Sequence, residues 1–342
     1  MNEDNQHYNK DIRAVYVVAD MACSHDGKLR LAKQIIDGVG RSGASAIQFQ
    51  IWELQHIMVP YHPQYDFVAQ VEFPYDSWRE LAAYTRDRFP HLKIIGCVYE
   101  PISVDFCEEI DVDAYKVHAA DLSNRGLIKY IASTGKRIDL SVGASTLDEI
   151  TKAIDWIKCT SESNIWLMYG MQNFPTPVEA ANLSFLLSLR QLFQLPVGYQ
   201  DHSDGDSDSA FWLPAAAIGM GINILEKHIT HDRSKKGVDH EAALNPDEFK
   251  RFVDMVRTIE SAMGSSIPRP FTSDEMKYRK YSKKSLVAAR DLVSGMVLKD
   301  GDLLYMRAEE LGLPPDQADR LIGRQIRCDI GAYQLVLESD LL

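Results

Sequence analysis

Ala14-Val15-Tyr16-Val17-Val18-Ala19-Asp20-Met21-Ala22-Cys23-Ser24-His25-Asp26-Gly27 is an apolar, β-branched run that ends in a polar turn. The turn decides between two architectures. An open doubly wound sheet places a glycine-rich phosphate turn after its first strand. Residues 20–27 lack the glycine spacing of a dinucleotide fingerprint or a P-loop. Working outward, seven more short apolar runs follow: Ala46–Gln50, Lys93–Cys97, Ala114–Val117, Arg137–Ser141, Ile165–Tyr169, Val197–Tyr199 and Ile224–His228. Stretches of helical period lie between them, including Lys28–Ser42, Asp76–Arg88, Thr146–Lys158, Asn182–Leu192 and a last one at Asp247–Met263. Eight such units predict an α/β fold, a closed (β/α)8 TIM barrel, with catalytic groups at the C-terminal strand ends and in the loops beyond.

After Met263 the texture changes. Gly264-Ser265-Ser266-Ile267-Pro268-Arg269-Pro270 carries helix-breaking prolines and reads as a linker. The expected organisation is a barrel over 1–264, a linker over 265–280 and a small, mostly-β domain over 281–342. A domain of that size buries only a modest core, so it is expected to lean on the barrel of its own or a neighbouring subunit.

Hydrophobic residues make up 45% of the 342 and charged residues 25%, the proportions of a globular protein able to bury a large core. Lys and Arg number 37 against 49 Asp and Glu, a net charge of −12 that argues against general nucleic-acid binding. An anionic substrate therefore needs local positive charge. No apolar run approaches the ~20 residues of a membrane span, and the start, Met1 to Asp11, is polar, so a cytoplasmic location without membrane attachment is expected. Cys23, Cys97, Cys107, Cys159 and Cys328 form no Cys-x-x-Cys pair and read as reduced thiols.

Polar residues gather at the strand ends: Asp20, Gln48, Lys116, His118, Asp121, Ser141, Gln172, Gln200, Asp201, His202, Glu226 and His228. Convergence from seven strands is the signature of an active site, which one polar residue alone would not be. His202 and His228 follow neighbouring strands, and two imidazoles with nearby carboxylates suit Mn2+, Fe2+ or Zn2+ better than Ca2+. Lys116 has two readings, an anion-binding cation or a structural ion pair with Asp121 or Glu226. Asp20 is a candidate base or hydroxyl acceptor; the bland alternative is a turn carboxylate capping the next helix. Asp239, in the loop after His228, is a candidate substrate contact.

Several segments resemble the sialic acid synthase family. Ala19–Gly27 is similar to that family's Ala-Glu-x-Gly-x-Asn-His-Asn-Gly, and Ala114–Val117, Leu140–Gly143 and Phe174–Pro177 match later segments. Gly198-Tyr199-Gln200-Asp201-His202, Leu225-Glu226-Lys227-His228-Ile229-Thr230 and Gly237-Val238-Asp239-His240 carry the resemblance most specifically. It implies condensation of phosphoenolpyruvate with an N-acyl-hexosamine-type aldehyde to a nonulosonic 2-keto acid. It also implies a divalent metal on His202 and His228, Mn2+ foremost with Mg2+, Fe2+ or Zn2+ as alternatives. Asp20, Lys116 and His202 take catalytic roles by this resemblance. Substrate contacts fall to Gln48, Asp121, Ser141, Gln172, Phe174, Gln200 and Asp239. Ser285–Leu292 resembles the opening of an antifreeze-like domain, which in the family crosses a swapped homodimer and offers an arginine, matched here by Arg307, to the partner's sugar site.

The departures concentrate where the family binds phosphoenolpyruvate. Gln48 stands for a lysine, Ala119 for a serine, Gln172 near an asparagine, Gln200 for a serine and Phe174 for a tyrosine, while Asp20 and Asp121 stand for glutamates. Replacing a charged donor by an amide costs about 1.5–3 kcal/mol of anion binding. Shortening a carboxylate by one methylene moves its oxygens by more than ~1 Å, enough to matter for a positioned acid or base. Two other readings stand beside it: the same barrel and metal acting on a different donor or sugar-derived aldehyde, or a non-catalytic subunit of a polysaccharide pathway.

Overall fold

The computed structural model describes residues 14–264 and 268–342. The polar start Met1–Asp11 and residues Ser265–Ile267 of the expected linker lie outside the described residues. The chain divides into two compact units, Met1–Gly264 and Ser265–Leu342.

The first unit is a closed barrel of eight parallel strands in sequential order: β1 (Tyr16–Asp20), β2 (Ala46–Ile51), β3 (Lys93–Val98), β4 (Ala114–Val117), β5 (Arg137–Ser141), β6 (Ile165–Tyr169), β7 (Val197–Asp201) and β8 (Ile224–His228). The fold class read from the sequence is the fold observed. Strand ends shift by a residue or two for reasons visible in the ladders. β1 begins at Tyr16, not Ala14, because pairing with β8 starts at Tyr16↔Ile224; β7 runs on to Asp201 because Lys227 of β8 pairs with it.

Alternation along each strand sorts the side chains. Val17 and Ala19 of β1 and Ile47 and Phe49 of β2 face outward into one large apolar layer shared with the helices Leu29–Ser42, Tyr75–Arg88, Leu147–Lys158 and Pro246–Met263. The opposite parity fills the barrel. At its N-terminal end the Arg137 guanidinium lies 3.9 Å from the Trp166 ring centroid and grips Asp139 with two hydrogen bonds of 2.8 and 2.9 Å. Above them pack Val18, Ala46, Ile95, Ala114, Met168 and Ile224. The polar residues form the topmost layer. One buried ion pair sits on the outer parity: Lys227 Nζ is 2.9 Å from Asp201 Oδ2 and 3.0 Å from the Ser203 carbonyl.

In the second unit, part of the segment read as a linker is helical, over Ser273–Ser282. A capping box explains the start: the Glu275 amide donates to Thr272 Oγ1 at 3.2 Å and the Thr272 amide to Glu275 Oε2 at 2.7 Å. β9 (Ser285–Ala288) pairs antiparallel with β10 (Leu303–Met306). Isolated bridges such as Leu292↔Ile330 and Val297↔Gln325 complete a small core of Leu286, Leu292, Leu298, Leu321, Ile326 and Val336. Among the described residues no helix is long and apolar enough to cross a membrane.

Candidate active site

At the C-terminal ends of the strands a cavity of about 130 Å³ is lined by Asp20, Gln48, Gln50, Lys116, His118, Ser141, Gln172, Phe174, Gln200, His202, Glu226, His228 and Asp239. Register explains the convergence. Asp20 is level with both Gln48 and His228, and Gln200 with Glu226, so inward positions of adjacent strands meet at one height.

Its floor is a buried polar chain. Lys116 Nζ donates to Glu226 Oε2 at 2.5 Å, Gln200 Nε2 to Glu226 Oε1 at 2.8 Å, and Ser141 Oγ to Gln200 Oε1 at 2.9 Å. Of the two readings of Lys116, the ion pair is present, with Glu226 and not with Asp121. Burial alone would raise the Glu226 carboxyl, but the Lys116 charge and the hydrogen bonds from Lys116 and Gln200 hold it below the usual range. Burial opposes charge on Lys116 as well, and Glu226 overcomes it and raises the ammonium.

Asp20 accepts from the Ala22 amide at 2.8 Å and from Gln50 Nε2 at 3.4 Å. Burial and the nearby Glu226 charge push its carboxyl up to about 7. Asp239, in the left-handed region at φ 60°, is raised by burial to about 6. Three carboxylates thus share the cavity with one ammonium, an arrangement that favours taking up protons or a cation.

The rings of His202 and His228 lie 5.1 Å apart at 84°, with Phe174 against both. His202 Nδ1 lies 2.6 Å from the Met171 carbonyl, an N–H donor arrangement that leaves Nε2 with its lone pair. His228 Nε2 is 3.6 Å from Asp20 Oδ2, and its buried Nδ1 has no hydrogen-bond partner. Burial lowers both imidazoles, His228 strongly, so both are neutral near pH 7. Neutral rings, an orphaned nitrogen and an adjacent carboxylate fit a divalent cation. A second set of possible metal donors, Asp26, His231 and His240, lies outside this cavity, with ligand atoms within 4.8 Å of one another.

Two predicted site residues lie elsewhere. Asp121 lines a neighbouring cavity of about 710 Å³ with Cys23, Trp52, Tyr99 and Asn124, and accepts from Asn124 Nδ2 at 3.1 Å. It sits there because a short turn after β4, Ala119–Asp121, carries it past the rim. Arg307 is an exposed residue one position beyond β10, in the second unit. Gln50 and His118 line both cavities, and neither was assigned a role from sequence. The parity of β2, which turns Gln50 inward with Gln48, was the signal that could have found it.

Fold and site together define a barrel of the enzyme type, with buried carboxylates, an ammonium and two imidazoles gathered in a cavity at its strand ends. Residues 35–268 match the NeuB family, and the chain belongs to that family. It is 29% identical over 313 residues to an N,N'-diacetyllegionaminic acid synthase of Campylobacter jejuni, covering 86% of this chain and 91% of that one. To the N-acetylneuraminate-9-phosphate synthase of Homo sapiens it is 27% identical over 338 residues, covering 95% and 92%. A solved N-acetylneuraminic acid synthetase from Leptospira borgpetersenii superposes with a TM-score of 0.71 at 27% identity, covering 78% of this chain and 91% of that one. The protein is accordingly a synthase-type, carbon–carbon bond-forming enzyme.

Proposed function

We propose that the protein condenses phosphoenolpyruvate with the open-chain aldehyde of an N-acyl-hexosamine, giving a nonulosonic 2-keto acid and inorganic phosphate. The observation that carries this reading is the meeting of Asp20, Ser141, His202, His228 and Asp239 in one cavity above the Lys116–Glu226 pair. Phosphoenolpyruvate C3 bonds to the aldehyde carbon, water adds at C2, and phosphate leaves. His202 and His228 would hold the divalent ion, Mn2+ foremost with Mg2+, Fe2+ or Zn2+ as alternatives, and when bound it supplies Lewis-acid polarisation of an oxygen. Asp20, raised to about 7, is poised to accept a hydroxyl proton and return it at neutral pH. Asp239 accepts from a sugar hydroxyl, while Gln48 and Gln172 offer neutral donors to the anion and Ser141 fixes Gln200 by donating to its Oε1. Asp121 contacts the part of the sugar that extends into the neighbouring cavity. Lys116 attracts the anion only to the extent that Glu226 leaves its charge uncompensated. A cytoplasmic location suits a donor drawn from central metabolism.

A second reading, with a different donor or sugar-derived aldehyde, is favoured by Gln48, Gln172 and Gln200 and by the excess of carboxylates in the cavity. Gln48→Lys separates the two. Restoring a cationic donor worth about 1.5–3 kcal/mol should lower KM for phosphoenolpyruvate at least tenfold. No phosphoenolpyruvate turnover in either protein, with metal still bound, would favour the other donor.

The family resemblance adds a swapped homodimer in which Arg307 serves the neighbouring chain's sugar site. Arg307→Ala should then raise KM for the sugar with KM for phosphoenolpyruvate unchanged, in a protein that sediments as a dimer.

A further inference from the structure

Away from the cavity, the loop after β1 and the loop after β8 bring together Asp26, His231 and His240. Asp26 Oδ1 is 3.6 Å from His240 Nε2, and Asp26 Oδ2 is 3.9 Å from His231 Nε2. Both separations are too long for hydrogen bonds. They lie close to the edge of a tetrahedron drawn around a zinc-sized ion, about 3.4 Å for bonds of about 2.0–2.1 Å.

The orientation of the rings points the same way. His231 Nδ1 faces the Ser24 carbonyl at 3.1 Å, an N–H donor arrangement that turns the Nε2 lone pair toward Asp26. A backbone carbonyl on the far nitrogen is how metal-binding histidines are usually held. The His231 and His240 rings stand 5.3 Å apart at 78°, so they approach the carboxylate from different sides. His240 is fully buried, Thr230 Oγ1 lies 3.0 Å from its Nε2, and its Nδ1 has no hydrogen-bond partner. The Asp26 carboxylate makes no hydrogen bond among the described residues, and its residue is held in the left-handed region at φ 49°. Backbone passes directly over the group at Gly237, where a Cβ would stand 2.4 Å from Asp26 Oδ1 and 2.6 Å from His240 Nε2. Any side chain there would block the centre of the three donors.

We propose that Asp26, His231 and His240 form a second, structural binding site for a divalent transition metal of the zinc class, separate from His202 and His228. One carboxylate and two imidazoles provide three tetrahedral ligands, and the fourth position falls to water. The ion would tie the loop that carries Asp239, next to His240, to the loop that follows Asp20, and so fix both carboxylates of the cavity. Arg233 already anchors the same β8 loop through Glu248 and the Ala243 carbonyl.

The test uses the full-length His202→Ala/His228→Ala protein, so that metal at the cavity cannot contribute and a failure of that assignment is seen separately. Titration with Co2+ alone should give the intense visible bands of a tetrahedral ion at one equivalent, and Zn2+ should displace it and raise the melting temperature. Adding Asp26→Asn or His231→Leu should remove the bands and the thermal shift. A folded His202→Ala/His228→Ala protein that takes up no tetrahedral Co2+ would overturn the proposal without recourse to further variants. So would one equivalent that survives both added substitutions.

Discussion

His202→Ala and His228→Ala should each abolish turnover, with losses of about 10³-fold or more in kcat and retention of the fold. The two rings face each other at 5.1 Å, His202 is oriented by the Met171 carbonyl, and burial keeps both neutral. Losing a cation that stabilises developing charge costs at least as much as losing one fixed oxyanion donor, for which about 10²–10³-fold is typical. Neither substitution leaves an unpaired charge behind, so the thermal transition should move far less than activity does. Metal content measured beside kcat checks the cause: each variant should lose the equivalent of metal on which wild-type activity depends. A variant that keeps its metal and its rate would show these rings to be structural.

Lys116→Ala should act mainly on stability. It leaves Glu226 buried with one oxygen unpaired, and breaking a buried pair in this way typically costs about 3–5 kcal/mol. The direction with pH follows from the shifts. Glu226 is depressed in the folded state, so its contribution is present above the ordinary glutamate range and is lost as pH falls through the folded value. Lys116 is raised, so its contribution is present below the ordinary lysine range and is lost as pH rises through the folded value. The wild type should therefore exceed Lys116→Ala most across the middle of the pH range, with the gap closing in acid. Urea unfolding at several pH values measures this. Lys116→Met/Glu226→Gln, which removes both charges, should be more stable than Lys116→Met alone, and the opposite order would mean that the pair is not the source of the loss.

These residues also mark how far the sequence could be read. The barrel was legible because alternation within a strand and helical period between strands are local, and eight repeats leave few other ways to close a sheet. The same alternation puts Asp20, Ser141, Gln200 and His228 at one rim. The partner of Lys116 was not decided by that pattern, since Asp121 lies just beyond β4 and Glu226 faces inward on β8; the closed barrel, which sets β8 within reach of Lys116 across its interior, decided it. Asp121 was carried out of the cavity by a turn whose course depends on tertiary packing. The helix Ser273–Ser282 was masked by the neighbouring prolines, although Thr272 and Glu275 hold the spacing of a capping box. Asp26 and His231 lie on loops more than two hundred residues apart in sequence, and nothing periodic links loops.

The most direct measurement combines purified protein, Mn2+, phosphoenolpyruvate and a panel of N-acyl-hexosamines, with phosphate release followed beside mass detection of the condensed keto acid. The account predicts one phosphate released per nonulosonic acid formed, with both signals abolished by EDTA and restored by added metal. Phosphoenolpyruvate left unconsumed across the panel by folded, metal-loaded protein would contradict it.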